Sequence, residues 1–189
     1  MPQIQVDGNI VLKILELEDT DAVFALVDEN RRYLREWLPW VDTNATSEDS
    51  RAFIKSTQEQ HQLNFGFQCG IWYNHSLAGI IGFHQIDWAN KNVEIGYWLG
   101  EKFQGNGIIT RSCKALVDVA FFDYQLNRVQ LRCATGNRKS CAVIERLGFI
   151  KEGTVHQAEF LYDRYVDLDV YGMTADIWKE RHNRQINSE

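Results

Sequence analysis

The sequence predicts a mixed α/β or α+β fold, one sheet in a three-layer arrangement with helices. Three observations lead there. The hydrophobic periods run strand, helices, three strands, helix, strand, helix, two strands, an order that calls for a sheet packed between helical layers. The middle strands are joined by short hairpins, which excludes a doubly wound parallel sheet, whose crossovers need a dozen residues or more. Finally, the alternation of Val93, Ile95, Tyr97 and Leu99 gives way after Gln104–Thr110 to helical spacing, a strand, glycine turn and helix in succession.

The elements follow in chain order. Residues 10–16 read as a first strand. Residues 19–30 and 31–38 read as one or two helices stopped at Pro39, since proline cannot continue a helix interior. Ser47-Glu48-Asp49 opens a helix to Gln62, with acids in the first turn where the helix dipole favours them. Phe65–Tyr73 and Leu77–Asp87 read as strands joined by a turn at Asn74-His75-Ser76, residue types that tolerate turn geometry. The strand at 92–99 precedes a long helix in which Ile109, Cys113, Leu116, Val117 and Ala120 recur on one face, through Tyr124. Arg128–Cys133 is a strand with Val129, Leu131 and Cys133 on one face, and Lys139–Leu147 is a short helix. Gly148 stands where glycine favours ending a helix. Strands near 149–155 and 162–173 come last. The sequence thus divides into one domain, residues 1–175, and a polar tail, 176–189, read as a frayed helix.

At 189 residues and 44% hydrophobic, one domain with a real core is expected. No apolar run approaches a membrane span. The start, MPQIQVDGN, has neither a basic nor an apolar leader region, so a cytoplasmic protein is expected. Cys69, Cys113, Cys133 and Cys141 are scattered without a C-x-x-C pair, and four reduced thiols in or near the core follow. The five histidines have no metal-ligand spacing, so no metal is expected. The net charge of −6 argues against nucleic acid, which demands clustered Lys and Arg, and favours a cationic substrate through long-range attraction.

A glycine turn opening a helix is suited to an anion, because the first N–H groups lack internal partners and the dipole adds positive potential. The turn lacks the Gly-Lys-Ser/Thr ending of a P-loop, and Thr110 replaces the third glycine of a dinucleotide fingerprint. A pyrophosphate loop of the Gln-x-x-Gly-x-Gly/Ala kind puts Gln104, Gly107 and Ile109 at its key places, with Ile109 larger than usual. A plain helix start remains the alternative. Arg111 and Lys114 could add positive charge, or be ordinary surface cations.

Three blocks, IGYWLGEKFQGNGIIT at 95–110, NRKSCAVIERLGF at 137–149 and EGTVHQAEFLYDRYVDLDVYGM at 152–173, with LREWLPWV at 34–41, resemble the GNAT N-acetyltransferases. The last two blocks look like the Rim-type branch that acetylates the N-termini of ribosomal proteins. The resemblance implies a GNAT fold, a mostly antiparallel sheet splayed between the strands at 92–99 and 128–133, with acetyl-CoA as cosubstrate in the splay. It implies that Gln104, Gly105, Asn106, Gly107, Ile108, Ile109 and Thr110 hold the pyrophosphate. Tyr97, Trp98 and Leu99 would line the pantetheine arm, with Asn137 and Ser140 at its far end. From sequence alone, capping and an ordinary first-turn hydroxyl are the readier explanation of Asn137 and Ser140; the resemblance reverses this for Ser140, which would protonate the departing thiolate. Glu159 would be the general base, with Glu94 and His156 as substitutes. Trp37 and Trp40 would wall the acceptor site or pack in the core. Tyr162, Tyr165 and Asp163 could touch an acceptor, and Asp167 and Asp169 would suit an ammonium group.

The acceptor amine must be neutral to attack. An α-amine of pKa about 7.8 is roughly 10–15% neutral at pH 7, a cost of about 1 kcal/mol, against roughly 4–5 kcal/mol for a lysine. One carboxylate therefore serves an N-terminus more easily. The resemblance thus implies direct acetyl transfer to an amine, a ribosomal protein N-terminus, with homodimerisation by family analogy. The alternatives are a small-molecule amine such as a polyamine or aminoglycoside, and a non-catalytic acyl-CoA sensor, which would not need Ser140 and Glu159.

Overall fold

The computed structural model describes residues 3–186. In chain order they form β1 (Gln3–Gln5), β2 (Ile10–Ile14), α1 (Thr20–Leu34), α2 (Ser47–Gln62), β3 (Phe67–Tyr73), β4 (Ser76–Phe83) and β5 (Asn92–Leu99). There follow α3 (Ile108–Asp118), β6 (Arg128–Ala134), α4 (Arg138–Arg146), β7 (Ile150–Leu161), β8 (Arg164–Thr174) and α5 (Ala175–Ile186). The strands make one sheet in the order β1-β2-β3-β4-β5-β6-β8-β7. Helices α1 and α2 cover β3 and β4 on one face, and α3, α4 and α5 cover the other. The three-layer mixed sheet expected from the sequence is the fold observed. Strand β4 shows both layers at once, for every residue after Ser76 is buried.

All strand pairs are antiparallel except β5 and β6, which run parallel through only three pairs, Asn92–Arg128, Val93–Val129 and Glu94–Gln130. Beyond Glu94 they part. On its other edge β5 stays paired to β4 through Gly79–Leu99 and Phe83–Ile95. From Ile95 to Leu99, then, one row of backbone donors and acceptors faces the gap, an edge that a ligand's amides can pair with as a peptide does.

Local chemistry explains the elements. Thr46 accepts from the Asp49 N–H while the Asp49 carboxylate accepts from the Thr46 N–H at 2.8 Å, a capping box that starts α2. Asn74 and His75 both have positive φ, 48° and 66°, the signature of the two-residue hairpin turn whose twist matches the strands.

Several expectations are corrected. Of the one or two helices expected over 19–38 there is one, and it ends at Leu34 short of Pro39. Helix α1 runs unbroken to Leu34 and the chain then turns, since the residue before Pro39 is steered out of helical geometry. Gln3–Gln5 pairs with β2 as an edge strand, too short to signal itself. Strand β7 continues past 155 to Leu161 through bulges at Lys151/Gly153 and Val155/Glu159, where the inserted residues break the alternation a strand reading depends on. The stretch from Ala175 is not frayed. Trp178 is buried against Phe121 and its indole donates to Asp118 Oδ1 at 2.7 Å, so one aromatic side chain docks an otherwise polar helix. Residues 187–189 of the expected tail lie outside the described residues. Two of the four cysteines are not reduced. Cys133 on β6 and Cys141 in α4 are joined by a disulfide, Cα atoms 6.1 Å apart, because the tight turn between the two elements returns the chain to within bridging distance. Cys69 and Cys113 are free and buried, and burial pushes both thiols up to about 12.

Candidate active site

The glycine turn is built as its sequence requires. Gly107 caps α3 with φ 65°, and Gly105 has φ 78°, both left-handed conformations that a Cβ would strain. Asn106 folds its amide back to the carbonyls of Phe103 and Gln104, both at 3.1 Å. The turn is therefore held by its own side chain, and the opening N–H groups of α3 remain unpaired by the helix.

The turn borders a cavity of about 680 Å³ lying in the splay, lined by Tyr97, Trp98, Leu99, Gln104, Gly105, Gly107, Ile108, Ile109, Thr110, Asn137 and Ser140 among others. Of the residues predicted for the cofactor only Asn106, braced within the turn, is absent from this lining. Ile109 is buried and contributes to the wall. Trp37, expected on the acceptor side, lies here instead, its ring against Gly136.

The sequence reading named Arg111 for positive charge here but missed two further cations. Lys139 and Arg146 line the cavity together with Arg111. Lys139 Nζ donates to Gln104 Oε1 at 2.7 Å, and Arg146 donates to Thr110 Oγ1 at 3.1 Å. Their signal was available, since they stand two turns apart on one face of α4. Arg111 is shared with the Asp7 carboxylate and donates to the Asn106 carbonyl at 2.8 Å. Lys114 does not line the cavity; it pairs with Asp118 at 2.9 Å. Three cations around a helix N-terminus answer how an acidic chain could hold a polyanion: the local field is positive whatever the net charge.

At the other end, Asn137 Oδ1 accepts from the Ser140 N–H at 3.2 Å. Asn137 is thus the cap of α4 and a cavity wall at once. Tyr97 OH lies 3.0 Å from Ser140 Oγ and 3.3 Å from the Ser140 carbonyl.

A second cavity, about 440 Å³, lies under α1 and α2, lined by Val23, Val27, Trp40, Asn44, Phe53, Gln68, Ile80, His84 and Gly96 with others. Tyr97 and Trp98 belong to both cavities, so β5 is their common wall. Trp40 also packs on Trp98, ring centroids 6.0 Å apart.

Glu94 and Glu159 form a separate cluster where β5 and β6 part, and neither lines the two cavities. Glu94 meets Arg132 Nε at 2.9 Å and Gln130 Nε2 at 3.2 Å. Burial holds the Glu159 carboxyl above its usual range; the Arg132 cation pulls it back and the Glu94 charge pushes it up again. By strand alternation Glu94 shares a face of β5 with Gly96 and Trp98, walls of the second cavity.

The remaining predicted groups are engaged elsewhere. Tyr162 donates to the Leu38 carbonyl at 2.7 Å, and the Arg35 guanidinium stacks 3.7 Å from its ring. Tyr162 therefore ties the β7–β8 turn to the segment after α1 rather than facing either cavity. His156 is exposed and bonded to Asp167 at 2.9 Å. Asp169 is satisfied by Lys151 at 2.8 Å and Thr154 at 2.6 Å, so it is not a free anion for an ammonium group. Tyr165 is exposed beside Phe160.

Comparison with known proteins gives the frame for this site. A family model described as an acetyltransferase (GNAT) domain matches residues 9–150. The putative ribosomal N-acetyltransferase YdaF of Bacillus subtilis is 34% identical over 93% of this chain and 96% of its own. The ribosomal-protein-serine acetyltransferase of Escherichia coli is 33% identical over 92% and 97%. Among solved structures, the microcin C7 self-immunity acetyltransferase MccE, in complex with acetyl-CoA and AMP, superposes with a TM-score of 0.88 at 30% identity, over 92% of this chain and 96% of that one. Among the described residues no helix is long and apolar enough to cross a membrane.

Proposed function

The chain belongs to the GNAT acetyltransferases and is an acetyl-CoA-dependent N-acetyltransferase; from that premise we propose that its acceptor is the N-terminal α-amine of a ribosomal protein. The observation that carries this is the match, at 33–34% identity over more than nine-tenths of the chain, to relatives named for ribosomal substrates.

The geometry supports direct attack with both substrates bound. In this reading the splay cavity takes acetyl-CoA: the glycine turn, Lys139 and Arg146 meet the pyrophosphate, and the free edge of β5 pairs with the pantetheine amides. The second cavity takes the acceptor, and Tyr97 and Trp98 in the shared wall bring the two substrates against each other. The amine nitrogen bonds to the thioester carbon. The nitrogen's proton passes through water to the Glu159 carboxylate, which stands outside both cavities, and the carbon–sulfur bond breaks. Ser140 Oγ–H gives its proton to the leaving thiolate and regains one from water, as Glu159 releases the amine's proton to water. A backbone N–H of the β5 edge stabilises the oxyanion, a preorganised donor aimed where charge develops. Burial helps here, because a carboxylate raised above its usual range is a stronger base at neutral pH.

The test is to incubate the purified protein with acetyl-CoA and a complete set of ribosomal proteins and read intact masses. A single acetyl gain at one protein's N-terminus is expected. No gain, with coenzyme A still bound by calorimetry, would overturn the ribosomal acceptor and direct the search to small-molecule amines.

A further inference from the structure

Ser140 is held from three directions. Its N–H is capped by Asn137 Oδ1 at 3.2 Å, its neighbour Cys141 is bonded to Cys133 on β6, and its Oγ lies 3.0 Å from the Tyr97 hydroxyl. Tyr97 comes from β5, across the splay, so this contact spans the cavity. Two hydroxyls facing each other leave one question open: which one donates. If Ser140 gives its proton to Tyr97, that proton points away from any departing sulfur. If Tyr97 donates to Ser140 Oγ, the serine proton is left free.

The distances favour the second. The Tyr97 ring is packed beside Cys113 in the core, and burial raises its phenol, so it stays a neutral donor. The acceptors within its reach are Ser140 Oγ and the Ser140 carbonyl. The carbonyl is the longer contact, at 3.3 Å. A hydroxyl bond is usually near 2.7–2.8 Å and weakens with distance, which favours Oγ as the acceptor.

We propose that Tyr97 is a positioning residue: it donates to Ser140 Oγ and so leaves the serine's own proton directed at the sulfur that leaves with coenzyme A. The inference rests on the reading of Ser140 as the acid and adds a role for Tyr97 beyond lining the pantetheine. A bond donated into Oγ also stabilises negative charge growing on that oxygen as it gives up its proton. Tyr97 keeps its own proton throughout, and Ser140 regains the one it gave up from water as the thiol leaves.

The experiment is a double-mutant cycle on Tyr97→Phe and Ser140→Ala, with acetyl-CoA affinity measured by calorimetry in each variant to establish that the site is folded. Tyr97→Phe removes one oxygen and keeps the packed ring. It is expected to lower kcat by about tenfold, the worth of roughly one hydrogen bond, with KM for acetyl-CoA changed by less than about twofold. In the Ser140→Ala background the same change should cost less than about twofold, because residues that act through each other are not additive. An equal loss in both backgrounds would overturn the proposal while leaving Ser140 as the acid. So would a Tyr97→Phe variant with unaltered kcat. If Ser140→Ala itself turns over normally, the acid reading fails, and the role of Tyr97 with it.

Discussion

Replacing Glu159 with Gln removes the proposed base while keeping the side chain's size. Two opposed effects should follow. The first is kinetic. Without a base, the enzyme must take its acceptor neutral from solution, and at pH 7 only roughly 10–15% of an α-amine of pKa about 7.8 is neutral. From that fraction alone, the variant's rate should climb about sevenfold between pH 7 and pH 9. A positioned general base is worth on the order of 10²–10⁴-fold, so the deficit against wild type should be largest at and below pH 7 and narrow as the amine deprotonates itself. The second effect is on stability. Burial raises the Glu159 carboxyl in the fold, outweighing the opposing pull of Arg132. A folded pKa above the unfolded one means that the protonated form is favoured by folding. That contribution is present below the unfolded value, about 4.3 for a glutamate, and is lost as pH rises through the folded value. Gln carries no such loss. The variant should therefore melt higher than wild type at pH 7, with the advantage shrinking toward pH 4. Steady-state rates across pH 6–9 and thermal melts at pH 4 and 7 test both effects. Full activity of the variant at pH 7 would refute the base assignment. Slower turnover with a lower Tm at pH 7 would refute the burial argument, since lost packing would then explain both.

The cations of the splay cavity, Lys139 and Arg146, lie against Gln104 and Thr110; replacing either with Ala should weaken coenzyme A binding by about 10–100-fold, the range of a hydrogen bond to a charged group, and calorimetry at two salt concentrations should show the loss shrinking as salt rises. The disulfide closes a loop of only eight residues' separation, so the Cys133→Ser, Cys141→Ser double variant should lose about 2–3 kcal/mol in urea unfolding on the loop-entropy account, and reductant should lower wild type but leave the variant unmoved. Trp178→Ala should cost about 3–5 kcal/mol, as for a buried aromatic, with hydrogen exchange rising first in α5; exchange unchanged there would mean that the indole's contacts with Phe121 and Asp118 do not dock the helix.

Much of the scaffold was legible because its signals are local. The acids Glu48 and Asp49 that open α2, the glycines at 105, 107 and 148, and the alternation through Val93–Leu99 each follow from a few neighbouring residues. Two of the failures share one cause, which is distance along the chain. The helix at 175–186 looked polar because a single tryptophan anchors it, and its partner Asp118 lies sixty residues away. Tyr162 looked like a substrate contact because nothing nearby in sequence announces that it will reach the Leu38 carbonyl.

The sequence by itself determined the order of the elements, the glycine turn and its anion-binding backbone, and the short helix with Asn137 as cap, since periodicity, φ preference and capping are properties of a few consecutive residues. Only the tertiary structure decided which charges and hydroxyls meet. It brought Arg111, Lys139 and Arg146 around one cavity, turned Trp37 to one side of β5 and Trp40 to the other, joined Cys133 to Cys141, and set Tyr97 against Ser140. The disulfide aside, the physical reason is that β5 and β6 stop pairing after Glu94. A parted pair of strands opens a gap whose walls come from remote segments, and no local pattern in the chain encodes what faces what across it.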